Sequence, residues 1–346
     1  MTWYIDQGPE SDVIISSRVR LARNLANYPF PHRMDAQQAR QVAEEIIQAF
    51  FMNDPERKRH YLLVDLDTLS PEDRQALAEK RLISEDLAGS GPSHKAIISR
   101  DEAISIMINE EDHIRIQSMQ PGLNLEKAYE AAAQVAWILE QSLSIAYSEK
   151  YGFLTACPTN TGTGMRASVM AHLPGLVMSG KIKDTIDGLL KLGFAVRGHY
   201  GEHSKSQGNL FQISNQLTLG ISEDDLINDL KRMLQQLIEQ ERNARLEVYR
   251  RQPLVLEDRI MRSYGILRNA RLISNEEATD LLSDLRLGLS LGLLRGLREA
   301  DINRLYAIIG PASIQKAEGR SMTPEERDSA RAKIIQSVLT QSEATL

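Results

Sequence analysis

The sequence predicts an α+β protein: an antiparallel sheet flanked by helices, followed by an all-α C-terminal region. Three observations predict it. Short β-forming runs at 96–99, 104–108 and 114–119 follow one another too closely for parallel crossovers, so they pair antiparallel. Helical spacing brackets them, at 35–51 on one side and 125–148 on the other. From Ser222 to residue 342 the pattern is helical almost throughout. The expected division is a mixed domain over 1–250 and a helical domain over 251–346.

Each element has a local reason. Residues 10–21 mix β-branched side chains with Ser16, Ser17, Arg18 and Arg20, an extended segment that aims polar groups at something. Between 35 and 51, Ala39, Val42, Ala43, Ile46, Ile47 and Phe50 keep a helical spacing behind Asp35, a fitting N-cap. Residues 61–66 read as a buried strand. Ser70-Pro71-Glu72-Asp73 joins a cap, a proline at the first helical position and first-turn acids, so a helix starts there. Ile114, Ile116 and Ser118 alternate with Arg115, Gln117 and Met119, the period of a strand.

Residues 157–168 contain Pro158, Gly162 and Gly164 and predict a loop rather than a helix or strand. A helix over 181–192 and strands over 195–197 and 210–214 follow. Between those strands, 198–209 holds three glycines and two histidines and is expected to be a mobile loop. Ser222-Glu223-Asp224-Asp225 predicts a capping box that opens a helix running to about Arg251. Helices over 257–264, 276–287, 299–308 and 325–342 complete the chain.

Composition narrows the function. Of 346 residues, 42% are hydrophobic and 25% charged, enough for a real core; only 5% are aromatic, so that core is mostly Leu, Ile, Val and Ala. A net charge of −6 argues against a general nucleic-acid binder. No apolar run approaches the ~18 residues that cross a bilayer, so no membrane association is expected. The N-terminus lacks a basic region followed by an apolar core, so no signal peptide is expected. A single cysteine permits no internal disulfide and fits a cytoplasmic protein.

That cysteine, Cys157, opens the stretch Cys-Pro-Thr-Asn-Thr-Gly-Thr-Gly-Met-Arg-Ala-Ser. A thiol, hydroxyls, loop N–H groups and one cation in a dozen residues can hold a phosphorylated ligand beside a reactive group, or can simply be a turn with a buried thiol. Arginine placement shifts the balance. Arg18 and Arg20 are two apart in an extended run and share a face. Arg115 sits on a strand, Arg166 follows the glycines, and Arg197 ends a strand. Guanidinium forks in such places fit phosphate oxygens in pairs. No Walker A sequence is present, so a P-loop is not the source of nucleotide binding. Asn109-Glu110-Glu111-Asp112-His113 packs three acids between strands, alone the mark of a solvated turn. With Glu202 in the Gly-rich loop and Cys157, however, it suits a guanidinium, which paired carboxylates can orient and deprotonate.

Taken together, these residues resemble the phosphagen (guanidino) kinase superfamily and, more closely, the bacterial protein arginine kinases. The resemblance is carried by Ser16-Ser17-Arg18-Val19-Arg20, Asn109 through Arg115, Cys157-Pro158-Thr159-Asn160 through Arg166-Ala167-Ser168, Arg197-Gly198 with Gly201-Glu202-His203, and Ile213-Ser214-Asn215, in family order over 10–245. It implies a phosphagen kinase catalytic domain. It implies that Arg18, Arg20, Arg115, Arg166 and Arg197 grip the phosphates of ATP. Ser16, Ser17, Val19, Arg81, Ala167, Ser168, Val169, Met170, Gly198, His199, Tyr200 and Gly201 would complete the nucleotide site. Glu111 and Glu202, with Cys157 alongside, would hold and deprotonate the acceptor. Mg2+ would bridge the phosphates, with no metal site made by the protein alone.

The helical tail carries Arg327-Asp328-Ser329-Ala330-Arg331-Ala332, which matches the family's phosphoarginine-binding pattern and assigns Arg327, Asp328 and Arg331 to that role. As a bare helix, the same spacing sets two like charges at i and i+4, a mild repulsion that a phosphate would relieve. Two positions depart from the family: Arg81 stands where a histidine is expected, and His203 follows Glu202 where a glycine is common. Metabolite phosphagen kinases carry an N-terminal helical domain; here the first arginine motif stands by residue 16, so no such domain is expected. The expected function is therefore ATP-dependent phosphorylation of arginine in proteins, with a kinase of free arginine or another small guanidine as the alternative. The implied partners are protein substrates with exposed arginine, a zinc-binding activator, a Clp-type unfoldase or protease, a stress-gene repressor, and a second copy in a homodimer or higher oligomer.

Overall fold

The computed structural model describes residues 2–52, 54, 56–89, 91–198 and 207–344, with side chains through Ser342. Its strands are β1 (Ile14–Arg23), β2 (Tyr61–Asp65), β3 (Lys95–Ser99), β4 (Ile104–Ile108), β5 (Ile114–Pro121), β6 (Tyr147–Ser148), β7 (Gly152–Phe153), β8 (Met165–His172), β9 (Phe194–Gly198) and β10 (Leu210–Asn215). Eight of them form one sheet in the order β2-β3-β4-β5-β1-β8-β10-β9, antiparallel at every pairing, and β6 pairs with β7 in a small hairpin.

The pleat divides this sheet into two chemically different faces. Val19, Leu21, Ile116, Ala167, Val169 and Ile213 point to one side and are buried in the main core. That side is covered by α1 (Ala36–Phe51) and, later in the chain, by α5 (Leu125–Glu140) and α8 (Glu223–Arg251). Between α1 and α5 come α2 (Arg57–His60), α3 (Pro71–Glu79) and α4 (Glu85–Ala88). Leu82, Ile83 and Leu87 seal the β2–β3–β4 end of the opposite face against Ala96, Ile98 and Met107. Among the described residues no apolar cluster covers the middle of that face.

The helix starts follow their caps. Asp35 accepts from the Gln38 N–H while the Gln38 side chain accepts from the Asp35 N–H, a full capping box. Ser70 caps α3 through the Asp73 N–H. At Ser222 the expected capping box is only half present. The hydroxyl accepts from the Asp225 N–H, but the Asp225 carboxylate bonds back to that hydroxyl instead of to the Ser222 N–H, because aspartate is a methylene shorter than glutamate.

Four other expectations are corrected. Residues 61–66 do not make a buried strand: β2 lies at the sheet edge, with Leu62 45% and Leu63 48% exposed, and only Leu66 beyond it is buried. The helix predicted over 125–148 stops at Glu140, since Leu25 pairs with Ile145 and the Asn24 carbonyl takes the Ala146 N–H, pulling the chain into β6. The stretch 157–168 is a loop only to Gly164; Met165 starts β8, a central strand. Gly162 and Gly164 adopt positive φ and absorb the whole turn, leaving Arg166 free to pair across from Arg20. The loop expected over 198–209 is shorter at both ends, because β9 keeps Gly198 and a turn occupies Gln207–Asn209; residues 199–206 lie outside the described residues.

After β8 come α6 (Pro174–Met178) and α7 (Ile182–Lys191). The long α8 is 29 residues and ends at Gln252, whose φ of −144° breaks it ahead of Pro253. Then follow α9 (Pro253–Asn269), α10 (Asn275–Ser290), α11 (Glu299–Ile308), α12 (Pro311–Glu318) and α13 (Pro324–Ala344). Helix α12 has no counterpart in the sequence prediction; Gly310-Pro311 starts it and Gly319, left-handed, ends it. These helices have their own core, from Leu267 to Leu339. They are tied back to the sheet region where the Glu79 carboxylate of α3 accepts from the Ala312 and Ser313 N–H groups, both at 2.8 Å, at the start of α12.

Candidate active site

The register of the central strands decides where the arginines go. Arg20 lies directly across from Arg166 on β8 and from Gln117 on β5; Arg18 faces Ser168 and Met119; Arg115 faces Ala22. Gln212 of β10 pairs with both Met170 and Arg197. Pairing partners share a face. Arg18, Arg20, Arg115, Arg166 and Arg197 therefore all stand on the side of the sheet away from the main core, with Ser16, Ser168 and Met170 among them.

The same register separates the other expected nucleotide contacts. The side chains of Val19, Ala167 and Val169 point into the main core. Ser17 is buried on that side too, donating to the Gly122 carbonyl at 2.8 Å and accepting from the Asn124 N–H. The pleat leaves these four no side-chain route to a ligand on the cationic face. Arg81 has a left-handed backbone at φ 61°, and its carbonyl accepts from Gln117. His199, Tyr200 and Gly201 lie outside the described residues, as do Glu202 and His203.

The guanidiniums of this cluster crowd one another. Arg18 donates to Gln212 Oε1 at 2.9 Å and, longer, to Ser168 Oγ; Arg166 reaches Ser214 Oγ at 3.3 Å. Those partners are neutral. The Nε of Arg20 is buried with no hydrogen-bond partner. Arg115 pairs with the buried Glu110 carboxylate. Burial would raise the Glu110 carboxyl, but Arg115 beside it outweighs that and holds it below its ordinary value. Burial, then the guanidiniums of Arg81, Arg115, Arg166 and Arg197, pull Arg18 down to about 9. Arg20 is pulled well below its ordinary value by burial and by Arg18, Arg115 and Arg166, with Glu110 opposing. Cations crowded together in this way are stabilised by an anion of several charges, such as a polyphosphate.

The acidic loop beside the arginines is no solvated turn. Asn109 adopts φ 60° and its amide donates to the carbonyls of Ala39 and Ser93. Asp112 is buried; one carboxylate oxygen accepts from Asn24 at 2.6 Å and from the Ala156 N–H at 2.7 Å, which clamps the acidic loop to the segment leading into Cys157. His113 accepts the Leu25 N–H at Nδ1 and donates from Nε2 to the Pro29 carbonyl; burial pushes its pKa down to about 4, so it is neutral. Glu111 is the member that reaches outward. Its Oε2 accepts from Asn160 Nδ2 at 3.3 Å, and Cys157 Sγ lies 3.0 Å from Thr159 Oγ1 in the same turn. Partial burial, with Asp112 and Glu110 nearby, pushes the Glu111 carboxyl up. Glu111 and the Cys157 turn thus sit together. A cavity of about 440 Å³ adjoins them, lined by His32, Met34, Pro92 and His94 as well as Glu110 and Glu111.

This geometry agrees with what known proteins show. The model of the ATP:guanido phosphotransferase C-terminal catalytic domain matches residues 41–244, and that of the protein-arginine kinase McsB C-terminal domain matches 253–345. The chain is 45% identical over 342 residues to the protein-arginine kinase of Geobacillus sp. (strain WCH70), covering 99% of this chain and 94% of that protein.

The chain belongs to the protein-arginine kinase family.

Membership makes it a phosphotransferase enzyme of the guanidino kinase type. Solved structures agree on the fold. The duplicated taurocyamine kinase from Schistosoma mansoni, with bound transition state analog components, superposes with a TM-score of 0.61 at 28% identity over 70% of this chain, which spans 35% of that longer protein. Lombricine kinase superposes at 0.59 with 24% identity, over 70% of this chain and 71% of that one.

The family's tail motif has a distinct setting. Arg331 is 1% exposed. Its Nε donates to the Ile309 carbonyl at 2.9 Å, and Nη1 donates to the Ile273 carbonyl and to Asp328. Arg327 is half-buried and donates to the Met322 carbonyl at 3.2 Å. Asp328 therefore already offsets the like-charge repulsion expected of the i, i+4 arginine pair.

Sequence reading included Ser214, Glu110, Asp112 and Asn160 in its motifs without giving them these contacts, and it missed Gln212 and Asn24. Gln212 was findable, since it alternates with core positions on a strand next to β8. Asn24 and Asn160 act across 88 and 49 residues of chain, where no local pattern signals them.

Proposed function

We propose that this protein transfers the γ-phosphoryl group of ATP to arginine side chains in proteins. The observation that carries the proposal is the cationic face beside Glu111: five guanidiniums gathered on one side of the sheet, next to a carboxylate whose own neighbours are acidic. In this reading Arg18, Arg20, Arg115, Arg166 and Arg197 hold the triphosphate, and Glu111 holds the acceptor guanidinium, with Cys157 alongside. Glu202 is the second carboxylate of the proposal and lies outside the described residues. The acceptor nitrogen attacks the γ-phosphorus. A P–N bond forms, the P–O bond to ADP breaks, and the guanidinium proton passes to a carboxylate. Such transfer needs chiefly positioning and charge stabilisation. The raised Glu111 carboxyl moves that acceptor of the proton closer to working pH.

Among the described residues no group of three or more His, Cys, Asp or Glu could hold a metal ion. A Mg2+ ion would arrive on the nucleotide phosphates, which suit it because it keeps much of its water and few protein ligands. Arg327, Asp328 and Arg331 are proposed to bind phosphoarginine in the tail. The proposal extends to a cytoplasmic setting, a zinc-binding activator, assembly into a homodimer or higher oligomer, modified proteins passed to a Clp-type protease, and control of a stress-gene repressor. No helix among the described residues is long and apolar enough to cross a membrane.

The test is direct. The protein is incubated with ATP and either casein or free arginine, and acid-labile phosphate is measured. Signal on casein is expected; signal confined to free arginine would replace the proposal with a small-guanidine kinase.

A further inference from the structure

The turn that carries Cys157 and Asn160 is held between two segments, and both leave large apolar side chains in water. On one side runs 217–219. Thr218 is buried, and its hydroxyl donates to the Thr159 and Thr161 carbonyls at 2.9 and 2.8 Å, while its own carbonyl accepts the Thr163 N–H. The contact is so close that a Cβ on Gly162 would lie 2.1 Å from the Thr218 oxygen. With Thr218 turned in, its neighbours Leu217 and Leu219 turn out, and they are 67% and 55% exposed. On the other side stands the β6–β7 hairpin. Phe153 and Gly162 exchange backbone hydrogen bonds at 2.8 and 3.2 Å, and the Phe153 ring meets Tyr147 edge-on at 5.2 Å. Tyr147 and Tyr151 of that hairpin are 59% and 46% exposed.

Single exposed apolar residues are ordinary; here four of them stand on the two segments hydrogen-bonded to the Cys157 turn. We propose that Leu217, Leu219, Tyr147 and Tyr151 form a docking rim for the substrate polypeptide on either side of its acceptor arginine. The rim selects extended segments that place apolar side chains within a few residues of that arginine. The inference rests on the proposal that the acceptor is a protein, and it follows from continuity. An arginine delivered to Glu111 on a chain brings its neighbours over the Cys157 turn, whose two borders are these side chains. A free guanidino compound has nothing to lay there. The leucines and tyrosines also suit this occupant chemically, since broad apolar contact without fixed polar partners accepts many sequences.

The experiment uses the full chain, ATP and two acceptor peptides of equal length and charge, one with Leu and Phe flanking a single arginine and one with Ser and Gly there. Wild type is expected to favour the apolar peptide by about 10-fold in kcat/KM, mostly through KM. The double variant Leu217→Ser/Leu219→Ser, and separately Tyr147→Ser/Tyr151→Ser, are expected to bring that ratio toward one. Because the readout is a ratio measured on one protein sample, partial loss of folded enzyme does not change it. Equal use of the two peptides by wild type, or a ratio that both variants retain, overturns the rim. Absence of transfer to either peptide, with transfer to free arginine, instead overturns the protein-acceptor reading on which the rim rests.

Discussion

The sheet face and the helical tail both gather arginine where it is sheltered from water, and they use it in opposite ways. On the sheet face, Arg18 donates to the neutral side chains of Gln212 and Ser168, and the Arg20 Nε is buried without a hydrogen-bond partner. In the helical region Arg331 binds two carbonyls and Asp328. Arg20 keeps a buried donor that a ligand can take. Arg331 has protein partners and stitches segments of the chain together. Residue type does not separate the two; the state of the donors does.

The largest break of this comparison would come from the carboxylate that adjoins the cationic face. Glu111→Gln should lower phosphoryl transfer by about 10³-fold, the range of a lost general base, while leaving ATP affinity near wild type in a nucleotide titration. Loss of nucleotide binding would mean that Glu111 belongs with the phosphate contacts. Next, Arg331→Ala should cost about 3 kcal/mol in denaturant unfolding, because two buried carbonyls and Asp328 lose their donor. An unchanged midpoint would mean that these bonds do not hold the tail together and would leave phosphoarginine binding as the residue's whole role.

The loop beneath the site should give a pH signature of similar size. His113 has a folded pKa of about 4 against 6.5 for the free side chain, so the unfolded state binds the extra proton between those values. Stability present above pH 6.5 is therefore lost as pH falls toward 4, by about 3 kcal/mol. His113→Gln should flatten that acid limb in unfolding curves collected across this window.

Arg20→Ala sharpens the contrast further. Nucleotide affinity should fall by about 100-fold, the worth of charge-assisted phosphate bonds, with a melting temperature equal to or above wild type because like-charge crowding is relieved. A destabilised but nucleotide-competent variant would reverse the assignment. The smallest effect is expected at the junction of the two regions. Glu79→Ala removes the carboxylate that caps α12 and should cost about 1–2 kcal/mol without altering transfer rates on casein.

Much of this was legible in residue order. The alternation through 114–119 and 14–20 foretold strands with arginines on one side, and the caps at Asp35, Ser70 and Ser222 marked three helix starts to the residue. The expectations that failed share a cause. The segment 141–148 has helical composition, yet pairing with Asn24 and Leu25 overrides it, and no local pattern announces a partner more than a hundred residues away. The glycines of 157–164 similarly hid a strand that begins one residue after they end.

What the amino-acid order settled was periodicity: which side chains share a face, and that a face rich in guanidinium exists. What folding alone settled was which of those groups have their hydrogen bonds filled. Arg20 and Arg331 look alike along the chain; one stands opposite another arginine and the other opposite carbonyl oxygens. That distinction depends on register and helix packing, which bring together groups far apart in sequence, and the burial that makes an unfilled donor costly exists only once the layers have closed.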